Sequence, residues 1–281
     1  MINSVLQAKT IFQKYYDNEV LIAKNTNNIK NLTLLKTEYF YNNDVFKTAY
    51  YILKRNKVLA QLPSRFKNFL KICTLLHRIG ILQEINNPEN GIKSKGIYVA
   101  ENILKKLENE TNPFILLPIK YYDVENGEEL IKKDMEQYNL LDQEKEAMIY
   151  ILKLIKDGNK LSKLILVKSN SDTALIKDKK IGFSQKCLED FKNRKKIKKE
   201  DVQTIFDELL LYISCMYGFN FTTSKDFFLK LDFITFALVK TNNIYNEISK
   251  ISGENKEFEN ELNNIKKQLE DDIVNFDNYI I

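Results

Sequence analysis

The chain has 281 residues, of which 44% are hydrophobic and 29% charged, a balance that excludes a disordered polymer and is sufficient for a sizeable buried core. Eight glycines and four prolines are too few for a many-stranded β protein. The net charge of +5, from 43 basic and 38 acidic side chains, is too small an excess to argue for nucleic acid as a partner.

In chain order, Val45, Ala49, Ile52 and Leu53 line one helical face, and Phe66, Phe69, Leu70, Cys73 and Leu76 line the next. A polar breaker follows at Asn86–Gly91, then a helical pattern through Val99, Ile103 and Leu107. Ile115 to Ile119, Met148 to Ile155 and Val202 to Met216 predict three more helices. Lys163–Val167 and Thr173–Lys177 are the one stretch with strand character, a short β-hairpin around Ser169-Asn170-Ser171. The basic run from Lys192 to Lys199 reads as a solvated turn between helices rather than as a phosphate- or nucleic-acid-binding patch. Phe258, Leu262, Ile265, Leu269, Ile273 and Phe276 recur every three or four residues and predict a long amphipathic C-terminal helix. That stripe would pack on the body of the domain or against a second copy, making a homo-oligomer.

The expected architecture is all-α: one helical domain over residues 1–240, with a peripheral helix in 1–30, and a helical extension over 241–281. Cys73, Cys187 and Cys215 lack paired spacing and read as free thiols of a reducing compartment. No apolar signal region follows Met1, and no run approaches the roughly 18 apolar residues of a membrane span. The expectation is a cytoplasmic protein that neither leaves the cell nor crosses its membrane.

His77 is the only histidine, and it sits in Leu75-Leu76-His77-Arg78-Ile79-Gly80. This segment resembles the "LLHDIG" segment of the HD-domain superfamily of metal-dependent phosphohydrolases. Three later stretches resemble that family in the same order. Tyr98 to Leu104 followed by "ILLPIKYYD", Ile115 to Asp123, is similar to a helix and the "aIkyHd" segment. "LIKDGNKLSKL", Leu154 to Leu164, is similar to "iRDADKLDil". The stretch from Glu200 to Ser224 is similar to a C-terminal part with "T-x-x-D-x-L" and "FDxNFxxS", matched here by Thr204, Asp207, Leu209, Asn220, Phe221 and Ser224. The resemblance implies an HD-type helical bundle.

It also implies a metal site, in which histidines and aspartates lower the pKa of a bound water for attack on a phosphoester. Here Arg78 stands where that family has the aspartate after its histidine. Tyr122 falls on the later histidine, Asn159 on a metal aspartate with Asp157 retained before it, and the upstream histidine falls near Tyr41. One imidazole cannot supply the ligand set, and a guanidinium repels a dication. No metal, no cofactor and no catalytic residue are therefore expected.

Three functions remain open on the sequence. In the first, the former cleft is filled by Tyr121 and Tyr122, Arg78 pairs with Asp157 or Asp123, and the domain is a scaffold for a protein partner. Alternatively His77, Arg78, Tyr122, Asp157, Asn159 and Lys160, with Lys120 or Lys156, hold a nucleotide or other phosphorylated ligand without cutting it. The third is a residual phosphohydrolase using His77, Asp123, Asp157 and Asp207.

Overall fold

The structure, a computed structural model, describes residues 4–87, 101, 102, 105, 112–169 and 181–275. Helix dominates throughout, and no strand occurs among the described residues. No helix among them is long and apolar enough to cross a membrane. The chain folds as two compact units, Met1–Lys163 and Leu164–Ile281.

The first unit opens with α1 (Val5–Asn25), started by a capping box in which the Ser4 hydroxyl accepts from the Gln7 N–H and the Gln7 side chain accepts from the Ser4 N–H. Then come α2 (Ile29–Arg55), α3 (Lys57–Gln61), α4 (Ser64–Leu76), α5 (Ile79–Asn86), α6 (Pro113–Tyr121), α7 (Gly127–Met135) and α8 (Asp142–Ser169), whose residues from Leu164 on belong to the second unit. The stripes read from the sequence are the buried faces: Val45, Ala49, Ile52 and Leu53 on α2, and Phe66, Leu70, Cys73 and Leu76 on α4. α2 packs on α4, and α1 packs on α2, α4 and α5.

The second unit contains α9 (Gln185–Lys192), α10 (Ile205–Ile213), α11 (Thr222–Lys230), α12 (Phe233–Ser252) and α13 (Lys256–Val274). Phe258 anchors α13, with its ring 4.6 Å from Phe206, 4.9 Å from Tyr245 and 5.1 Å from Phe183. Phe258, Leu262, Ile265 and Leu269 of the predicted stripe are buried, whereas Ile273 is 40% exposed and Phe276 lies outside the described residues. The stripe is thus covered by the chain's own residues.

Two expectations change. Lys163–Val167 is not a strand but part of the last turns of α8. Ile151, Leu154, Ile155, Leu161 and Leu164 are all buried and continue one helical stripe through Gly158, so helical continuity overrides the β-branched composition. The other arm, Thr173–Lys177, lies outside the described residues, as do Val99, Ile103 and Leu107. The predicted Val202–Met216 helix is shorter. It starts at Ile205 because Thr204 and Asp207 form a capping box, and Ser214–Gly218 tightens into a 3₁₀ turn. Cys73 and Cys187 are buried free thiols, and Cys215 is a partly exposed one.

Candidate functional site

α4 ends at Leu76 and α5 begins at Ile79, so His77 and Arg78 form the corner between two helices. The last carbonyls of a helix lack intrahelical partners. Here the His77 N–H bonds to Cys73 O at 2.9 Å, the His77 ring places Nδ1 2.9 Å from Thr74 O, and Asn42 Nδ2 donates to Leu75 O at 3.0 Å. The histidine thus caps its own helix. Asn42 is fully buried, and its Oδ1 has no hydrogen-bond partner among the described residues.

α8 brings the other side of the site. At Gly158 it crosses α2 so closely that a Cβ would stand 3.3 Å from Val45 Cγ1 and 3.4 Å from Val45 O. This approach sets Asn159 beside Tyr41 and His77. The Tyr41 hydroxyl donates to Asn159 O at 2.9 Å, and His77 Nε2 lies 3.2 Å from Asn159 Oδ1. Tyr122 presents its ring to the imidazole edge-on, at 4.9 Å and 83°. Tyr41, His77, Tyr122 and Asn159 therefore meet.

Arg78 does not meet Asp157 or Asp123. Its guanidinium grips Glu38 of α2 with both arms, Nε on one carboxylate oxygen and Nη2 on the other at 2.8 Å, and lies 4.7 Å over the Tyr41 ring. Glu38 carries no sequence signature of its own and is separated from Arg78 by 40 residues along the chain. Its place three residues before Tyr41, close to one turn of α2, is the signal that could have found it. Asp123 is exposed, and the fully buried Asp157 has Lys160 Nζ at 3.6 Å.

The lysines considered for a phosphate are also engaged. Lys120 pairs with Asp134 at 2.8 Å, and Lys156 donates to Val124 O at 3.0 Å. Tyr121 donates to Asp134 and packs with Leu117, Ile131, Met135, Met148 and Leu152, a cluster that Tyr122 also borders. Of the two tyrosines expected in the cleft, Tyr122 lies against His77, and Tyr41 rather than Tyr121 is the second one there.

Asp207, in the second unit, accepts from the backbone N–H groups of Ser184, Gln203 and Thr204. The "T-x-x-D" signature is therefore a helix cap by function. Among the described residues no three of His, Cys, Asp and Glu converge as a metal would require. The second unit holds a cavity of about 330 Å³ over Phe236, Val239 and Ile244, rimmed by Lys168, Lys240 and Glu247; none of the predicted site residues lines it.

Burial, with a smaller contribution from the neighbouring Arg78 charge, pushes the His77 pKa down to about 3. Burial likewise pushes the Tyr41 hydroxyl up to about 12 and raises that of Tyr122. The imidazole is thus neutral, and a neutral ring can donate to only one of the two oxygens facing it. Thr74 O can only accept, so Nδ1 carries the proton. Nε2 then turns a lone pair to Asn159 Oδ1, so that approach is a contact and not a hydrogen bond.

A pH dependence follows from the sign of that shift. Below its ordinary pKa of 6.5 the unfolded chain binds a proton at His77 that the folded chain refuses down to about pH 3. Stability from this group is therefore complete above pH 6.5 and falls as pH drops through that window, by up to ~1.4 kcal/mol per pH unit. His77→Gln is expected to flatten the melting-temperature profile between pH 6.5 and 4 relative to the parent. Parallel profiles would show that the imidazole is charged in the fold.

Comparison with models of known protein families, with curated proteins and with solved structures finds no match to this chain. The likeness to the HD-domain superfamily rests on the four sequence segments alone, and the geometry around His77 can be judged only by its own chemistry.

Proposed function

We propose that the protein is a non-catalytic relative of the HD-domain phosphohydrolases, a helical scaffold whose former cleft has become part of its core. The observation that carries this reading is the closure of the site by its own side chains. Both imidazole nitrogens of His77 face groups of the chain, and both arms of Arg78 hold Glu38. A metal would need the Nε2 lone pair that faces Asn159. A phosphate would need the guanidinium fork that Glu38 occupies. What remains for function is the outer surface, and hence a macromolecular partner.

Elemental analysis and thermal shift test this together. The purified chain is expected to carry no stoichiometric Mn, Fe, Co, Ni or Zn. Neither Mn²⁺ nor a nucleoside mono-, di- or triphosphate at saturating concentration should raise its melting temperature, whereas a true ligand at about 100 times its dissociation constant adds roughly 2.7 kcal/mol. About one metal per chain, lost on His77→Ala, overturns the reading in favour of an enzyme. A nucleotide-induced shift abolished by Arg78→Gln overturns it in favour of a ligand sensor.

A further inference from the structure

Between Asp44 and Glu84 the sequence carries eight Lys and Arg and not one Asp or Glu. Three of the eight are paired with carboxylates from outside the stretch, Lys47 with Asp44 at 3.3 Å, Arg65 with Glu144 at 2.8 Å, and Arg78 with Glu38. Others gather over aromatic rings. On α2 the rings of Phe46 and Tyr50, one turn apart, lie parallel, with centroids at 6.2 Å and planes at 5°. Lys54 Nζ stands 4.6 Å from the Tyr50 centroid, and Lys71 of α4 reaches the same ring at 5.3 Å. Lys9 of α1 covers Phe46 at 5.2 Å, and the Arg55 guanidinium lies 4.1 Å over Tyr51. Lys57, at the start of α3, is exposed and two residues beyond Arg55.

Among the described residues no ion pair joins Lys9, Lys54, Arg55, Lys57 or Lys71 to a carboxylate. Four of these charges are held in place by π faces rather than by counter-charges. Three helices thus gather the cations Lys9, Lys54 and Lys71 round the Phe46–Tyr50 pair, while Arg55 and Tyr51 stack on another flank of α2. The small net excess of the whole chain conceals this grouping, because the acidic residues lie elsewhere in the sequence.

A polyanion of any kind would feel the charge. The flat groups narrow the choice. Rings offer planes to planar bases, and only a strand with unpaired bases can use them together with the phosphate contacts. A duplex hides its base faces, while an acidic peptide or an anionic lipid surface has none. We propose that this face of the first unit binds single-stranded nucleic acid, with Lys9, Lys54 and Lys71 on phosphates and the Phe46–Tyr50 pair as the stacking platform. The inference stands apart from the reading of the His77 corner, which lies outside this set of residues.

The test is fluorescence anisotropy of the full chain with a labelled oligouridylate of about 20 nucleotides, long enough to span the face. Binding is expected to weaken with salt, with a log–log slope of about −2 if three phosphates are neutralised. Lys54→Glu combined with Lys71→Glu should lower affinity more than about tenfold at an unchanged melting temperature. Tyr50→Leu should lower it about fivefold or more while leaving the salt slope as it was. Lys195→Glu with Lys196→Glu, in the other basic run, should change little. Failure to bind at low salt overturns the proposal. So does equal affinity for a duplex of the same length, for polyglutamate or for phosphatidylserine vesicles, and so does an equal loss from the Lys195 and Lys196 changes.

Discussion

Cutting the chain after Glu254 is expected to abolish the cooperative unfolding of the second unit. The cut removes α13 and with it the buried side chains of Phe258, Leu262, Ile265 and Leu269. At about 2 kcal/mol for each fully buried apolar side chain, these contribute roughly 8 kcal/mol, comparable with the entire stability of an ordinary domain. The cut also strands polar groups. Asp272 is buried, accepts from Arg194 Nε at 2.7 Å and from the Tyr217 hydroxyl, and Gln268 donates to Phe191 O at 2.8 Å. Arg194, held at a positive φ of 54°, would lose the carboxylate that fixes it. The expected readings are a lost thermal transition and strong binding of a hydrophobic dye, since Phe183, Phe206 and Tyr245 would face water. Phe258→Ala alone should cost about 3–5 kcal/mol through the cavity it leaves. A truncated chain that keeps its melting temperature and its elution volume would show that α13 is dispensable.

Arg78→Asp should destabilise the first unit by about 3 kcal/mol or more. The change removes the partner of a carboxylate that is 12% exposed and sets a second carboxylate against it. It also removes the guanidinium from the face of Tyr41. Denaturant unfolding of the full chain reads the loss as a lower midpoint for one transition. The charge swap Glu38→Arg with Arg78→Glu should recover at least half of it, because the same two positions then carry opposite signs again. A guanidinium waiting for an external anion behaves differently: the ligand-free protein would tolerate Asp at this position, and the swap would rescue nothing. Phosphohydrolase activity should not return in the single variant, although it restores the family's residue. One imidazole remains one imidazole, and metal-dependent turnover there would sink the argument from the histidine content.

The sequence by itself determined that this chain is helical and where its helices bury their apolar stripes. Those are local properties: Val45, Ala49, Ile52 and Leu53, or Phe258 to Leu269, lie on one face for any chain with 3.6 residues per turn. The capping residues are equally local, since Ser4 with Gln7 and Thr204 with Asp207 satisfy N–H groups within four positions of themselves. Where local signals conflicted, as at Lys163–Val167, the composition suggested a strand and the continuing stripe decided for helix.

The sequence also showed that His77 stands alone and that Arg78 needs a counter-charge. It could not say which carboxylate answers. Glu38 reaches Arg78 only because α2 lies across the end of α4, and Asn159 reaches His77 only because α8 passes α2 at a glycine. The acid-free stretch between Asp44 and Glu84 is plain in the sequence, but its shape is not. Lys54 lies one turn from Tyr50 and could be placed by helical spacing, whereas Lys71 and Lys9 arrive from other helices. Local periodicity specifies which side of a helix each residue occupies. Only the crossing of helices decides which of those sides meet, because a contact between residues far apart in the chain depends on the whole path of backbone between them.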